Sequence, residues 1–556
     1  MKKKESANGP RELFFGLVGP TGCDKDAVID SLKKELENYG YKPKVIKLSE
    51  LIKTLSNLLP STKPPLKNEC EYSNEYKRLD DLMNRGNALR AALERGDTLA
   101  LLTVAKVIAE RKDNTSTAYI FDSLKRPEEV ETLRSIYRDV FSVISIYTPR
   151  DQRVNGLSER ITKKEKSSDK NAFRHEAEEL IYRDTKEREK YGQNVSDTFP
   201  LGNLFVDTRI SQNLARNLKR YVETILGHPY HTPTKDEHCM ALAAQVSLRS
   251  ADLSRQVGAA IATEDGEIIA LGCNDVPKFG GGLYWPGHVD ARDFHLGYDS
   301  GTTIKNDALH EILSRFQDVF LEKHKEKHQE ATNIEELFGT LLGQESENDL
   351  AGRMKGTLIR NLLEFGRSVH AEMAALMEAA RRGVSVKDAT LYCTTFPCHL
   401  CARHIVASGI KRVVYIEPYP KSLAGELYKD SLVIDPPYPV NNLVVFEPFV
   451  GVAPRQYVSL FTSTERKHED SGKSLAWPPS EKSGNSEKSL NSSPSERRPK
   501  PRFAEDCGSH RLRECWQVGK KLGDALKKKK RKTKWLYDAI DTAQNILKKL
   551  PKTWGC

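Results

Sequence analysis

Two stretches of the chain alternate short apolar runs with amphipathic segments. In the first, from residue 13 to about residue 225, the runs 13–19, 118–122 and 140–147 are apolar almost throughout, which is typical of strands buried on both faces. The second stretch, from residue 236 to about residue 462, has three similar runs at 259–263, 390–394 and 412–416. Strands that alternate with helical segments predict α/β domains, the first with a parallel sheet and the second with helices around a mixed sheet.

Composition marks the boundary between these two regions. A polar stretch with His and Pro lies at about 227–235, and we place the boundary there. The predicted domains are 1–228 and 229–462. An insertion at about 280–363, Gly-rich at its start and charged later, interrupts the second domain.

The end of the chain differs from the rest in composition and charge. Residues 463–519 form a low-complexity linker, rich in Ser, Pro, Lys and Glu up to about residue 505, which we expect to be disordered. Residues 520–556 contain the basic run 527–532 and then apolar residues at three- and four-residue spacing, which predicts a basic amphipathic helical tail. This tail either contacts an RNA, a membrane or a partner, or is a solvated charged helix.

Net charge sets a limit on the partners of the whole protein. The formal net charge is +10, and residues 464–556 alone carry 23 Lys and Arg against 12 Asp and Glu. The preceding residues are therefore almost neutral, which gives no support to nucleic-acid binding by the chain as a whole.

Targeting and redox features indicate a cytoplasmic protein. No run of about 18 apolar residues occurs, so we predict no membrane span. The basic start of the chain lacks the apolar segment of a signal peptide. Ten cysteines in 556 residues do not form a disulfide scaffold, and we expect reduced thiols.

The clearest chemical pattern is His-Ala-Glu at 370–372 followed by Pro-Cys-His-Leu-Cys at 397–401. Zinc prefers imidazole and thiolate ligands, and a catalytic site supplies three of them and leaves the fourth position to water. Cys398 and Cys401 are three residues apart, so one helical turn places both sulfurs on the same side of a helix. We therefore predict that His370, Cys398 and Cys401 bind Zn²⁺.

Glu372 is the predicted catalytic residue. Zinc lowers the pKa of a water toward about 7, which supplies hydroxide at neutral pH for attack at C4 of a cytosine ring. Glu372 follows the ligand His370 by two residues and can pass the water proton to the ring nitrogen and to the leaving ammonia. The spacing matches the zinc deaminase signature H-x-E…P-C-x-x-C. A cysteine pair alone would fit a structural zinc half-site or a redox pair equally well.

This region resembles the deoxycytidylate deaminase branch of the cytidine deaminase superfamily. The resemblance is carried by the segments 247–259, 272–277, 368–372 and 397–401. It implies a cytidine-deaminase-like α/β/α domain and a hydrolase that acts on a C–N bond.

The same resemblance implies a set of substrate-binding residues. In that family an Asn on the loop after the second strand contacts the sugar, and Asn274 matches it. Ser254 and Arg255 belong to a segment near the nucleotide pocket, and Ser368 belongs to the segment that leads into His370. The implied substrate is a deoxycytidine nucleotide.

The start of the chain contains a degenerate phosphate-binding loop. Its predicted nucleotide-binding residues align with G-x-x-x-x-G-K-[ST] and are Gly19, Pro20, Thr21, Gly22, Cys23, Asp24, Lys25 and Asp26. Asp24 replaces the second glycine, and Asp26 replaces the magnesium-binding hydroxyl. Asp122 is positioned to be a Walker B carboxylate, and Arg150, Arg153 and Arg160 to form a phosphate lid. The domain either binds a nucleotide (ATP, GTP or a dNTP) or is a decayed kinase fold kept as a scaffold.

The whole layout, a P-loop kinase-like domain before a deaminase, is similar to the bacterial anti-phage dCTP deaminases. The segment 417–424, followed by Asp430 and Ser431, also resembles that family. The resemblance implies conversion of dCTP, and of dCMP, to deoxyuridine nucleotides, which depletes dCTP during phage infection. It further implies a homo-oligomer and an inhibitor, an RNA, a protein or a nucleotide, because an unregulated enzyme would harm its host.

Several other functions remain open from the sequence. A housekeeping dCMP deaminase with a regulatory P-loop domain would carry the same motifs. A polynucleotide cytosine deaminase would use the same chemistry on single strands. A regulatory binding module with an inactive deaminase domain is a third alternative, against which the presence of His370, Glu372, Cys398 and Cys401 argues. A nucleotide kinase is a fourth, against which Asp24 and Asp26 argue.

Overall fold

The structure, a computed structural model, describes most of the chain. The described residues are 11–55, 75–112, 115–165, 173–287, 290–323, 364–419, 421–463, 465–477 and 507–522, together with residues 538, 540, 541 and 544. The predicted basic run 527–532 and most of the predicted tail helix lie outside them.

Two compact units make up the described chain. The amino-terminal unit consists of Met1–Glu237 and Val450–Cys556, and the central unit consists of His238–Phe449.

The amino-terminal unit is built on one six-stranded sheet. Its strands are β1 (Glu12–Val18), β2 (Lys42–Lys47), β3 (Thr117–Leu124), β4 (Phe141–Tyr147), β5 (Leu204–Asp207) and β12 (Gly451–Val452). They lie in the order β12-β5-β4-β1-β3-β2. All pairs are parallel except that of β12 with β5. The parallel sheet predicted for this region is confirmed, and only its short edge strand is antiparallel.

Helices cover both faces of this sheet, as parallel strands require. They are α1 (Lys25–Asn38), α2 (Leu48–Leu55), α3 (Glu75–Ala92), α4 (Thr98–Glu110), α5 (Pro127–Tyr137), α6 (Arg150–Glu165), α7 (Arg174–Thr185), α8 (Val195–Thr198), α9 (Ser211–Ile225), α16 (Pro454–Phe461) and α17 (Cys507–Trp516).

Strand β1 shows why the sequence pattern was continuous. Phe15 and Leu17 pack into a core cluster with Leu32 of α1. Phe14 faces the other side, where its ring stacks on those of Tyr119 and Tyr137 with centroid distances of 5.3 and 3.7 Å. Both faces of the strand are therefore apolar, which removes the alternation typical of a half-exposed strand.

The central unit contains the second sheet. Its strands are β6 (Gly258–Ala262), β7 (Ile268–Cys273), β8 (Thr390–Thr395), β9 (Arg412–Glu417), β10 (Leu432–Ile434) and β11 (Val444–Pro448). They lie in the order β10-β11-β9-β8-β6-β7. Strand β6 is antiparallel to both neighbours and the other pairs are parallel, so the mixed sheet predicted here is confirmed.

The helices of the central unit complete a mixed α/β fold. They are α10 (Lys235–Ser247), α11 (Asp293–Leu296), α12 (Ser300–Lys323), α13 (Ala371–Arg381), α14 (His399–Ala407) and α15 (Ala424–Leu427). Helices α11 and α12 belong to the predicted 280–363 insertion, whose part 324–363 lies outside the described residues.

The boundaries of the units differ from the predicted 228/229 and 462. Glu237 accepts hydrogen bonds from Arg220 and from the Val452 N–H, each over 2.8 Å, which ties the start of α10 to the amino-terminal unit. After Phe449 the chain returns to that unit, because β12 extends its sheet and Leu460 of α16 joins its core. These boundaries are set by pairing between strands that are distant in sequence, and such pairing cannot be predicted from local composition.

The disordered linker predicted at 463–519 is wrong at both of its ends. Near residue 465 the chain forms a bridge between Lys467 and Ser474 and packs Trp477 against the core. Further on, helix α17 is held by ion pairs of Arg111 with Glu514 (2.6 Å) and Glu12 (2.8 Å). These anchoring residues are single and widely spaced, so a compositional argument did not find them.

Candidate active site

Three side chains converge where the central sheet meets two helix starts. His370 is the N-cap residue of α13, and Cys398 is the N-cap residue of α14, to which β8 leads. The Nδ1 atom of His370 lies 3.3 Å from Sγ of Cys398 and 3.3 Å from Sγ of Cys401. The predicted ligand set is thus brought together. Helix α14 begins at His399, so Pro397 precedes the helix by two residues.

The spacing of these three atoms fits a zinc ion. Zinc lies about 2.0–2.1 Å from imidazole nitrogen and about 2.3 Å from thiolate sulfur, and tetrahedral angles then separate nitrogen from sulfur by about 3.5 Å. The two observed nitrogen–sulfur separations are within a few tenths of an ångström of that value. Both thiols are also buried, as in a site that keeps bulk water away from its ligands.

Hydrogen bonds within the ligand set hold Cys398 as the thiolate that a metal requires, whereas they raise the pKa of both His370 and Cys401 and so favour the protonated forms of these two side chains. Bonding to Cys401 and to His370 lowers the pKa of Cys398 to about 4. Bonding to Cys398 raises the pKa of His370 to about 9. A divalent cation that binds all three atoms therefore displaces one proton from His370 and one from Cys401. The N–H of Cys401 also donates to Sγ of Cys398 at the start of the helix, where the helix dipole favours a thiolate.

Glu372 lies beside this ligand set, in the first turn of α13. Its residue is only 4% exposed, and burial raises the pKa of its carboxyl group. Cys393 of β8 lies within hydrogen-bonding reach of it and is itself buried. A carboxyl group with a raised pKa can both accept and donate a proton near neutral pH, which is the role predicted for Glu372.

Asn274 fastens the loop that leads into β6. Its Oδ1 accepts from the N–H of Val257 over 2.7 Å, and its Nδ2 donates to the carbonyl oxygen of Arg255 over 2.8 Å. The next residue, Asp275, forms an antiparallel bridge with Val369, directly before His370. The loop with Arg255 and the segment with Ser368 and His370 are thus linked through one short stretch of chain.

Ser254 and Arg255 lie on the exposed side of this loop. The hydroxyl of Ser254 donates to Asp252. Arg255, whose side chain is 48% exposed, lies 3.3 Å from Glu417 and places its guanidinium 5.6 Å from the ring centre of Tyr419. Tyr419 has no predicted role, although its position after β9 and between two prolines marks it as a loop residue next to the site.

A buried ion-pair network supports the same loops from the insertion. Arg292 pairs with Asp290 at 2.5 Å and with Asp275 at 3.7 Å, and Arg367 pairs with Asp293 at 2.7 Å. This network was not predictable from the sequence, because the insertion carries no recognisable motif. It connects the first turn of α11 to the segment before His370.

The second set of predicted residues lies in the amino-terminal unit, at the ends of β1 and β3. Helix α1 begins at Lys25, and Asp24 caps it by accepting from the N–H of Ala27 over 3.1 Å. Asp24 has a φ of −83°, so this position does not need the glycine of the consensus loop. The positive φ of the loop, +90°, falls on Gly22. Asp24 is thus a helix cap, and its carboxylate, like that of Asp26, is exposed.

Lys25 and Asp122 are brought together, as the Walker B prediction required. The Nζ of Lys25 donates to Asp122 over 3.0 Å and to the hydroxyl of Ser123 over 3.2 Å. Of the predicted lid residues, Arg153 lies against the loop, because a Cβ on Gly22 would be 2.9 Å from the carbonyl oxygen of Arg153. Arg150 and Arg160 are exposed on α6 instead.

A further cluster of possible metal ligands lies in the amino-terminal unit, at Glu223, His228 and His231. His231 pairs with Glu223 over 2.7 Å, and the rings of His228 and His231 stack with centroids 3.8 Å apart and planes 21° apart. An imidazole ligand holds its metal near the ring plane, and two stacked planes do not meet at one ion. We interpret this cluster as a hydrogen-bonded packing contact.

Comparisons with known proteins agree with the geometry of the central unit. Residues 233–417 match the family model of the cytidine and deoxycytidylate deaminase zinc-binding region. The deoxycytidylate deaminase of enterobacteria phage T2 is 29% identical over 188 residues, which cover 34% of this chain and 81% of that protein. ComE operon protein 2 of Bacillus subtilis (strain 168) is 32% identical over 107 residues, covering 19% of this chain and 54% of that protein.

Among solved structures, this chain is similar to the dCMP deaminase of cyanophage S-TIM5 in complex with dCMP and dUMP, with 18% sequence identity. The alignment covers 39% of this chain and 99% of that enzyme, with a TM-score of 0.21. The match of residues 233–417 to the family model indicates a deoxycytidylate deaminase-type, zinc-binding domain in this part of the chain. Within the described residues, no helix combines the length and the apolar character needed to cross a bilayer.

Proposed function

We propose that the deoxycytidylate deaminase-type domain hydrolyses the amino group of free deoxycytidine nucleotides, dCTP and dCMP, to give deoxyuridine nucleotides and ammonia. The observation that carries the proposal is the convergence of the His370 nitrogen with the Cys398 and Cys401 sulfurs, at 3.3 Å, beside the buried carboxyl group of Glu372. These three residues would hold Zn²⁺, which supplies a Lewis acid that activates a water at neutral pH.

Glu372 carries the protons through the reaction. It accepts one from the attacking water and gives it to N3 of the cytosine ring. When the C4–N bond breaks, Glu372 returns the second proton of the water to the leaving amine, which departs as ammonia. Burial assists both the uptake and the release of a proton, because it raises the pKa of the Glu372 carboxyl group toward neutral pH.

The surroundings of the site favour a nucleotide over a polynucleotide. The chain up to residue 463 is almost neutral, and a strand-binding groove would need a row of cations. Arg255, exposed beside Tyr419, offers one cation at the loop that Asn274 fastens. We propose that Arg255 binds a phosphate of the substrate and that Asn274 holds Arg255 in place while contacting the sugar.

For the amino-terminal unit we propose a P-loop kinase-like domain that binds a nucleotide and regulates the deaminase without transferring phosphate. The parallel sheet, the loop that leads from β1 into α1, and the Lys25–Asp122 pair support it. Asp26 stands where a magnesium-binding hydroxyl is needed for phosphoryl transfer. Incubation with ATP and dCMP should give no ADP, whereas a burst of ADP would contradict the regulatory role.

A role in defence is the broader part of the proposal. Removal of dCTP would stop phage DNA synthesis. Because an unregulated enzyme would also harm its host, we propose that an RNA, a protein or a nucleotide keeps it silent until infection. We also propose that the enzyme is a homo-oligomer. Plating efficiency of phage on cells expressing the wild-type chain or Glu372→Ala tests it: equal plating on both would contradict the role.

Product analysis of the purified full chain tests the reaction itself. The protein is incubated with dCTP, dCMP, CTP and a cytosine-containing single strand, beside Glu372→Ala. Uracil nucleotide from dCTP or dCMP, absent with the variant, is the expected result. Activity on the strand alone would move the function to polynucleotide editing and make the basic tail the next target.

A further inference from the structure

The loop between β1 and α1 already binds an anionic group of this same chain. The N–H of Thr21 donates to Oδ2 of Asp184 over 2.7 Å. The Asp184 carboxylate also lies 2.8 Å from Nζ of Lys125, and this ammonium donates to the carbonyl oxygen of Gly19 over 3.1 Å. A backbone N–H of such a loop and a lysine ammonium are the two kinds of donor that hold a phosphate oxygen.

Asp184 reaches the loop from a distant part of the sequence. It lies in the last turn of α7, and its side chain is fully buried. A buried carboxylate is stable only when its oxygens are paired, so the loop and Lys125 are what keep the end of α7 in this position. The sequence gives no indication of the contact, since 163 residues separate Thr21 from Asp184.

The charges around the loop leave a place for a further anion. Lys25 pairs with Asp122, and Lys125 with Asp184, whereas Nη1 of Arg153 is buried and has no hydrogen-bond partner among the described residues. Burial raises the pKa of the loop residue Cys23, so this thiol does not supply the missing negative charge. A phosphate group carries more charge than the one carboxylate that it would replace.

We propose that Asp184 stands in for a phosphate group in this loop, and that the phosphate chain of a nucleotide binds there by displacing Asp184 and releasing the end of α7. The inference rests on the proposed nucleotide-binding role of the amino-terminal unit and supplies its regulation. Binding is then coupled to a movement of α7, which gives the unit two states that a nucleotide selects.

The size of the effect follows from competition for one site. If the loop is open in about one molecule in ten to one in a hundred, the apparent affinity for an anion falls by roughly ten- to a hundredfold. Replacing the carboxylate by an amide of the same shape removes the competing charge. Asp184→Asn should therefore bind phosphate groups roughly ten to a hundred times more tightly than the wild-type chain.

Inorganic pyrophosphate and the full-length chain are suitable for the test, with calorimetric titration as the measurement. The matched control is Asp197→Asn, which removes an aspartate whose partner, Lys186, lies on the surface. We expect tight binding by Asp184→Asn and equally weak binding by the wild type and the control. Adding Lys25→Met to Asp184→Asn should abolish the gain, which places the pyrophosphate at the loop.

The possible failures are distinguishable. Equal affinity of the wild type and Asp184→Asn would overturn the displacement while leaving the nucleotide site in place. Absence of binding by every variant would overturn both the displacement and the nucleotide site. A gain that survives Lys25→Met would place the anion elsewhere and would also overturn the inference.

A second measurement covers the case in which Asp184→Asn does not fold. Amide hydrogen exchange of the wild-type chain is followed with and without a saturating concentration of pyrophosphate. Displacement predicts slower exchange in the loop 19–26 and faster exchange in the last turn of α7. Slower exchange in both segments, or no change in α7, would contradict it.

Discussion

Gly272 offers a sensitive test of how the central sheet positions the site. This residue of β7 packs directly on α13, the helix that starts at His370 and carries Glu372. A Cβ at this position would lie 2.3 Å from the carbonyl oxygen of Ala371 and 2.4 Å from the backbone nitrogen of Ala375. Both are backbone atoms, so no side chain can rotate to make room.

The magnitude follows from these distances. Ordinary contact begins at 3.4 Å, so in Gly272→Ala the helix must retreat from the strand by about 1 Å. Overpacking of this kind destabilises a core by roughly 1–3 kcal/mol. A displacement of about 1 Å at the reacting groups lowers the rate of catalysis by roughly a hundredfold.

The assay pairs urea unfolding with the initial rate of uracil formation from dCMP. Gly287→Ala is the matched control, because among the described residues no atom lies within 4 Å of its Cβ position and its φ is not positive. We expect Gly272→Ala to lose stability and activity and Gly287→Ala to keep both. Wild-type stability and rate in Gly272→Ala would refute the argument that this close approach positions α13.

Four further predictions concern the metal, the substrate loop and the amino-terminal unit. Removal of zinc by a chelator should lower the midpoint of thermal unfolding of the wild type but not of a Cys401→Ser variant, because binding energy adds to folding energy only where the ligands are intact; equal shifts would contradict the ligand assignment. Asn274→Ala should lower kcat/KM for dCMP, because the loop with Arg255 loses two hydrogen bonds. Unchanged kinetics would show that the loop keeps its conformation without these hydrogen bonds. Arg90→Met removes the cationic partner of the buried Glu129 carboxylate, which keeps its hydrogen bonds from the N–H groups of Lys125 and Arg126, and should cost roughly 3–5 kcal/mol in urea unfolding; a loss below about 1 kcal/mol would contradict the importance of the buried pair. Burial raises the pKa of Glu12, but hydrogen bonds from His510 and Arg111 outweigh this effect and lower the pKa to about 2. The stability that this carboxylate contributes is therefore complete above pH 4.5 and is lost as the pH falls toward 2. Fluorescence of Trp516 across that pH range measures the loss, and a Glu12→Gln variant should show none.

The parts of the fold that the sequence predicted are those with local patterns. The buried strands β1, β3, β4, β6, β8 and β9 are continuous apolar runs, and each lies within a residue or two of its predicted position. The candidate zinc ligands were predictable because the His-Ala-Glu segment at 370–372 and the Pro-Cys-His-Leu-Cys segment at 397–401 together match the zinc deaminase signature, which the cysteine pair alone does not specify. The loop before α1 was found by its motif in the same way.

The parts that were missed depend on contacts between distant residues. The pairing of β12 with β5 and the ion pairs of Arg111 with Glu514 bring the end of the chain back to its start, and no local pattern reports them. The contact of Asp184 with Thr21 is of the same kind. Asp24 was described only as a replacement of the consensus glycine, but its carboxylate caps α1, and the carboxylate that contacts the loop comes from α7.

The most direct test of the central claim is a joint measurement of bound zinc and of product in the wild type and in Glu372→Gln. The amide keeps the shape of the side chain but cannot carry a proton. The account predicts about one zinc per chain in both proteins, and a rate of uracil formation from dCMP or dCTP that falls by roughly 10²- to 10⁴-fold in the variant. Undiminished deamination by Glu372→Gln with zinc bound would contradict the account, as would a wild-type protein that binds no zinc yet remains active.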